Sequence, residues 1–133
     1  MIVPVHIICD DFACGTKINN FDNLISVFRA KGISTMIMLQ SESQLNSLYG
    51  EDKATTIINN CDTYIYMGGN DLKTARNISI RLNKPLDEVL YMKFDNIYLF
   101  QRGAKPKKIR RYKTLEDTFY KQYIEKVEER EVI

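Results

Sequence analysis

Several features that define common protein classes are scarce in this sequence of 133 residues. It has no tryptophan, one histidine and three cysteines, and none of the cysteines has a Cys-x-x-Cys spacing. This number and spacing of cysteines argue against a disulfide-stabilised fold and a structural zinc site, and favour reduced thiols. No apolar run reaches the roughly 18 residues of a transmembrane helix, and the start lacks the features of a secretory signal. We expect a cytoplasmic chain.

A phosphate-binding loop of the form Gly-x-x-x-x-Gly-Lys-Ser/Thr is also missing from the sequence. That loop supplies the backbone amides and the lysine that hold the β- and γ-phosphates of a nucleotide. Gly68-Gly69-Asn70-Asp71 does not replace it, because no lysine followed by serine or threonine stands at the required position. We expect this chain alone to bind nucleotide weakly and to hydrolyse it negligibly.

Apolar runs alternate with amphipathic segments along the chain. An apolar content of 44% is that of a globular domain with a real core. Alternation of strands with helices predicts an α/β fold, with a mostly parallel sheet and helices on both faces. The predicted strands are Ile2–Cys9, Ile33–Leu39, Thr63–Met67 and Asn96–Gln101. Lys107–Tyr112 either adds a hairpin strand or forms an extended tail, and Thr114 caps a charged helix to about Arg130.

Polar residues stand at the carboxyl ends of the first two predicted strands, where chemistry gathers in such sheets. Asp10 can hold Mg²⁺ through its water shell, and Asp11 can orient or deprotonate an attacking water. Gln40 can sense a γ-phosphate or position water. The simpler alternatives are that the carboxylates belong to a polar turn and that Gln40 precedes a helix capped by Ser41.

Two basic features and the single histidine have competing interpretations. Arg29 either acts as an arginine finger toward a neighbouring subunit or stabilises the end of its helix. The basic residues Lys107, Lys108, Arg110 and Arg111 lie in a stretch without acids, which either tracks DNA phosphates or is a solvated loop. His6, within an apolar strand, is expected to pack in the core.

The order of motifs resembles the C-terminal part of type IV secretion coupling proteins of the TraG/TraD type, which are conjugation ATPases related to FtsK/HerA motors. The resemblance rests on blocks between about Pro4 and Tyr112. They are His6-Ile-Ile-Cys-Asp-Asp-Phe-Ala13, Ile18-Asn-Asn-Phe21, Arg29-Ala-Lys-Gly-Ile-Ser34, Leu39-Gln-Ser-Glu-Ser-Gln-Leu45, Asn59-Asn-Cys-Asp62 and Gly68-Gly69.

This resemblance implies a partial RecA-like P-loop NTPase fold over residues 1–113, followed by a charged helix over 114–133. It implies Mg²⁺ and ATP as cofactors, with Asp10 as the Walker B metal residue, Asp11 as the catalytic acid and Gln40 as the γ-phosphate sensor. It also implies that Arg29 acts as an arginine finger that reaches the nucleotide of a neighbouring subunit. Full-length members are membrane-tethered hexamers that pass single-stranded DNA and relaxase to a type IV secretion channel.

The sequence departs from the family in two respects. The acidic pair is usually Asp-Glu, so Asp11 is one methylene shorter. The sequence also begins at the Walker B strand, which indicates a fragment, a truncated product or half of a split protein. The family's phosphate-loop strand would lie between Ile33–Leu39 and Thr63–Met67. We therefore expect the sheet to close over that gap or a second chain to cover it.

Three functions remain open from the sequence. The leading one is a fragment of a conjugative coupling ATPase that is not competent for hydrolysis alone. The second is a non-enzymatic module that binds a relaxosome or secretion partner. The third is a simple DNA-binding domain built on the basic stretch.

Overall fold

The computed structural model describes residues 3–131, with side chains through Ile124, and its elements form two small sheets with helices. Ile2, where the first predicted strand begins, lies outside the described residues, as do Val132 and Ile133. The elements in chain order are β1 Val5–Cys9, α1 Phe21–Phe28, β2 Ile33–Ile37, α2 Glu42–Tyr49, α3 Glu51–Asn59, β3 Thr63–Tyr66, α4 Leu72–Leu82, α5 Leu86–Leu90, β4 Asn96–Gln101, β5 Lys107–Arg110 and α6 Thr118–Glu131.

The first sheet is the parallel pair β1–β2, which residues 10–32, including α1, connect. One face packs on a cluster of buried side chains from the turn after β1 and from α1, α2 and α3. The members are Phe12, Phe21, Ile25, Leu45, Tyr49, Ala54 and Ile57. Cys9 and Ile37 join it from the sheet. Glycine favours positive φ, and Gly32, with a φ of 70°, ends the turn after α1 and directs the chain into β2.

The second sheet has the order β3-β4-β5 and is antiparallel throughout. Its buried cluster comprises Tyr66, Ala75, Ile78, Val89, Tyr98 and Phe100, which β3, α4, α5 and β4 provide. The alternative in which residues 107–112 form a hairpin strand is therefore confirmed for Lys107–Arg110.

The sheet differs from the mostly parallel one that the sequence predicts. An α/β chain is confirmed, but of the five strands in the described part of the chain only β1 and β2 run parallel. The reason is α5, a five-residue helix after Pro85 that was not predicted from the sequence. Since α4 runs back from the end of β3 and α5 returns the chain toward that end, β4 enters antiparallel to β3.

Helices cover one face of each sheet, so the prediction of helices on both faces is wrong for the described residues. Exposure alternates along β1 and β2, and Ile8 is 68% exposed. The strand that was predicted to be buried on both faces, β1, is thus exposed to solvent on one face. His6 lies on the open side and bonds to Ser34 Oγ rather than packing in the core.

The predicted closure of the gap between β2 and β3 does not occur, since within residues 3–131 the two sheets stay unpaired. The two halves meet instead through their helices, where α2 packs against α3 and α4. The last helix also differs in its start, because Asp117 rather than Thr114 accepts the hydrogen bond from Tyr120 N, at 3.0 Å. No helix among the described residues is long and apolar enough to cross a membrane.

Candidate functional site

The carboxyl ends of β1 and β2 bring the predicted acidic pair beside the predicted glutamine. Cys9 pairs with Ile37 in parallel register, so both strands end at the same edge. Backbone bonds extend the pairing past the strands: Met38 N donates to Cys9 O at 2.8 Å and Phe12 N donates to Met38 O at 3.1 Å. The turn that carries Asp10 and Asp11 is therefore held against the segment that leads to Gln40.

Asp11 has a backbone conformation that is uncommon for a residue other than glycine. Its φ is 46°, in the left-handed region that aspartate tolerates better than most residues. Its N–H donates to Asp10 Oδ1 at 3.0 Å, and its carbonyl accepts from Cys14 N at 2.8 Å. The turn thus fixes the spacing of the two carboxylates, both of which are exposed to solvent.

Gln40 lies within reach of Asp11. Its Nε2 is 3.5 Å from Asp11 Oδ1, a long contact, while its Oε1 accepts from Gln44 Nε2 at 3.2 Å. Gln44 N in turn donates to Ser41 Oγ at 3.2 Å, which caps α2. The side chain of Gln40 therefore bridges the acidic turn and the first turn of α2, and the capping role of Ser41 coexists with this position.

The edge suits one side of a magnesium site but does not enclose an ion. Mg²⁺ keeps several waters and takes one or two carboxylates together with substrate phosphates. Asp10 and Asp11 offer those carboxylates, and the described side chains, which end at Ile124, include no group of three or more acidic, histidine or cysteine ligands. The sequence has no phosphate-binding loop beside them. The residues present therefore fit a hydrated metal ion but not a complete nucleotide site.

Arg29 is not part of this edge within one chain. It is exposed at the end of α1, where its carbonyl accepts from Gly32 N at 3.2 Å. Arg29 precedes β2, whereas Gln40 follows it. The two residues are therefore roughly 20 Å apart, because the five residues of β2 and the turns on either side of it lie between them. A role for Arg29 at a nucleotide is possible only in a neighbouring subunit.

The four basic residues singled out near the C-terminus are in two different environments. Lys107, Lys108 and Arg110 lie on β5, where every residue is exposed. Arg111 is half-buried: its guanidinium lies 3.9 Å from the Phe94 ring centroid and its Nη2 donates to Met67 O at 3.1 Å. Arg111 thus ties the end of β5 to the end of β3.

A polar network between α2 and α4 was not predicted from the sequence. Glu42, in the first turn of α2, is only 5% exposed, and its carboxylate accepts from Asn77 Nδ2 at 2.7 Å. Its N–H donates to Thr74 Oγ1 at 3.0 Å. Asp71 Oδ2 accepts from Thr74 Oγ1, from Thr74 N at 2.8 Å and from Ser43 Oγ at 2.8 Å.

This network connects the two halves of the molecule next to the acidic edge. Hydrogen bonds from Thr74 and Ser43 hold the pKa of Asp71 below its usual value. Burial, with the charge of Glu42, raises the pKa of Tyr64 well above that of a free tyrosine. A sequence signal existed, because both Ser41 and Asp71 stand as N-caps after strands, but their spatial proximity was not visible.

Comparisons with known proteins assign this arrangement to a family. The family model described as the TraM recognition site of TraD and TraG matches residues 4–85, more than half of the chain. No curated protein matches the chain.

Several solved structures share the fold. The unbound bacterial conjugative coupling protein TrwBΔN70 aligns with a TM-score of 0.71 at 20% identity, covering 82% of this chain and 31% of that one. Plasmid coupling protein TrwB in complex with ADP and Mg²⁺ aligns with a TM-score of 0.71 at 21% identity, over 80% and 30%. Its complex with a non-hydrolysable ATP analogue gives 0.72 at the same identity and coverage. The chain thus spans under a third of the length of these proteins.

Proposed function

The chain belongs to the TraD and TraG family of conjugative coupling proteins, and on that premise we propose that it serves conjugative DNA transfer by contributing the acidic half of a nucleotide site. The observation that carries the proposal is the approach of Gln40 Nε2 to Asp11 Oδ1, at 3.5 Å, inside the matched region. An acidic pair fixed beside an amide is what positioning of a magnesium ion and a water requires.

The roles of the residues follow their chemistry. Asp10 holds the hydrated Mg²⁺, Asp11 orients the attacking water, and Gln40 contacts the γ-phosphate. Bound Mg²⁺ would neutralise phosphate charge during transfer. The complexes of TrwB with ADP and Mg²⁺ and with an ATP analogue support ATP and Mg²⁺ as the ligands. Arg29 acts toward the site of an adjacent subunit.

The complete site requires a phosphate-binding loop, so this chain alone does not hydrolyse ATP. We propose that residues 1–113 are part of a RecA-like ATPase unit, that residues 114–133 are a separate helical extension, and that the unit works on the cytoplasmic side of the membrane. The family description, a recognition site for TraM, supports a relaxosome protein as partner. We further propose relaxase-bound single-stranded DNA as the cargo.

Binding of the purified chain to a TraM-type relaxosome protein tests this proposal. Biolayer interferometry is run with the wild type, with the double variant Asp10→Ala/Asp11→Ala, and with the control Asp52→Ala, which removes an exposed acid on α3. We expect the wild type to bind and its ATPase rate to equal the buffer blank. Absence of binding in every condition would contradict the coupling-protein proposal.

The same experiment separates the enzymatic and the non-enzymatic versions. If the acidic pair takes part in the working complex, Mg²⁺–ATP changes the affinity of the wild type and of Asp52→Ala but not that of Asp10→Ala/Asp11→Ala. If the affinity of all three proteins is equal with and without Mg²⁺–ATP, the chain acts in this complex as a plain interaction module, without help from nucleotide.

DNA contact by β5 is a second candidate function, because Lys107, Lys108 and Arg110 are all exposed on one short strand. Their charges would bind phosphates without sequence preference. Fluorescence anisotropy of a labelled single strand at several salt concentrations tests it. Replacing all three with Gln should weaken binding and reduce the slope of log K against log salt by about 2, because each phosphate that a basic side chain neutralises adds roughly 0.7 to that slope. An unchanged slope would exclude the strand as a DNA site.

A further inference from the structure

The face of the β3–β5 sheet opposite its buried cluster carries a row of apolar side chains, with Lys107 on the same face opposite Leu99. In the strand register Ile65 lies opposite Leu99, and Ile97 lies opposite Ile109. Met67 extends the row beyond β3. Ile65 is 53% exposed, Met67 50% and Ile109 38%. These five residues, named here the open sheet face, belong to neither buried cluster of the described chain.

The helix α6 carries a complementary apolar stripe. Phe119, Tyr120, Tyr123 and Ile124 recur at the spacing that places side chains on one side of a helix. Phe119 is 83% exposed and Tyr123 is 65% exposed. Among the described residues, the turn Thr114–Glu116 is the one element against which α6 packs to any extent. An amphipathic helix of this kind gains most of its stability from burial of its stripe.

The connection between β5 and α6 is a turn with its own hydrogen bonds. Asp117 N donates to Thr114 O at 3.1 Å, Tyr120 N donates to Asp117 Oδ1 at 3.0 Å, and the Tyr112 hydroxyl donates to Asp117 Oδ2. Arg111, immediately before it, is fixed by its bond to Met67 O. With this turn in place, α6 does not pack to any extent on its own sheet among the described residues, so its stripe and the open sheet face are both free to meet another molecule.

We propose that the open sheet face binds α6 of a second copy of this chain, in a reciprocal exchange around a two-fold axis. The lengths agree, because the 14 helical residues of α6 span about 21 Å and the six residues of β4, the central strand, span about 20 Å. Charge favours the contact: residues 102–113 carry seven basic and no acidic residues, whereas residues 114–133 carry six acidic and three basic residues. A reciprocal arrangement forms this contact twice. It does not depend on the nucleotide role proposed above.

Sedimentation velocity of the full chain over a range of concentrations tests the exchange. The helix variant is Phe119→Asp, and its control is Gln122→Asp, which adds the same charge away from the stripe. The sheet variant is Ile65→Thr with Ile109→Thr, which keeps residues that favour strands. Far-UV circular dichroism checks that each variant keeps its helix and strand content.

We expect a concentration-dependent dimer for the wild type. The helix variant and the sheet variant should each raise the dimer dissociation constant by at least about tenfold, because each weakens both copies of the reciprocal interface. Gln122→Asp should change it less than about twofold. An equimolar mixture of the two variants should form a heterodimer, since the intact sheet of one meets the intact helix of the other.

Three results would overturn the proposal. If the wild type sediments as a monomer at every concentration, α6 is not exchanged between copies. Protection of its amide hydrogens would then mean that α6 binds its own sheet. A dimer unchanged by Phe119→Asp uses another surface, such as a strand edge. Variants that separately lose the dimer but form no heterodimer on mixing would show that the sheet of one copy does not bind α6 of the other.

Discussion

Replacing Thr74 with valine tests the polar network that joins α2 to α4. Thr74 is 5% exposed, and its hydroxyl both donates to Asp71 and accepts from Glu42 N–H. Valine has nearly the same shape but can make neither bond. The Glu42 N–H is then buried without an acceptor, and Asp71 loses one of its three hydrogen bonds, the one from the Thr74 hydroxyl.

The magnitude follows from these two hydrogen bonds of Thr74. A hydrogen bond to a charged group contributes about 1.5–3 kcal/mol, and a buried N–H without a partner costs about 1–3 kcal/mol. Because the two contributions overlap, we expect the free energy of unfolding to fall by about 3 kcal/mol. For a chain of 133 residues that decrease lowers the melting temperature by about 10 °C.

Urea unfolding followed by circular dichroism measures the effect, with Thr74→Ser as the matched control. Serine keeps the hydroxyl and lacks one methyl group, which costs about 1 kcal/mol. Valine should therefore be less stable than serine by about 2 kcal/mol, although it preserves the volume. A valine variant as stable as the serine variant would refute the assigned hydrogen bonds.

The pH dependence gives a second check on Asp71. Its pKa is lowered in the folded state by the bonds from Thr74 and Ser43. Its contribution to stability is complete above the unfolded pKa of about 3.9 and disappears as pH falls through the lower folded value. The stability gap between wild type and Thr74→Val should therefore narrow below about pH 4. A gap that stays constant down to pH 2 would contradict this assignment.

Three further substitutions have defined outcomes. Burial raises the pKa of Tyr64 in the folded state, so its contribution to stability is lost as pH rises above about 10. The urea concentration at the unfolding midpoint should therefore fall less steeply with rising alkaline pH in Tyr64→Phe than in the wild type. A lysine in place of Arg111 cannot stack on Phe94, so we expect calorimetry to show that the free energy of unfolding falls by about 1 kcal/mol. An unchanged free energy of unfolding would refute that contact. Ile78 is fully buried, so Ile78→Ala should cost about 3 kcal/mol by urea unfolding, and a decrease below about 1 kcal/mol would contradict its core position.

The sequence predicted elements well where the signal is local. Asn96–Gln101 has the predicted bounds, and Ser41 caps its helix as the spacing indicated. Apolar alternation, N-caps and glycine stops act over a few residues, so they can be read without tertiary context.

Nonlocal features were predicted less well, for physical reasons. The apolar sequence of β1 predicts a strand, but it does not show whether another element covers each face of that strand. In the structure one face is open, and Ile8 is exposed. The short helix α5 has too few residues for a periodic signal, yet it reverses the entry of β4. The Glu42–Asn77 contact joins residues 35 positions apart, and one sequence gives no direct sign of such a pair.

The frequency of conjugative transfer from donor cells tests the central claim most directly. The gene is deleted in the donor and restored with the wild type, with Asp10→Ala/Asp11→Ala, or with the control Asp52→Ala. The account predicts that deletion lowers transfer, that the wild type and Asp52→Ala restore it, and that the double variant does not. Normal transfer after deletion, or full restoration by the double variant, would contradict a working acidic half-site on this chain.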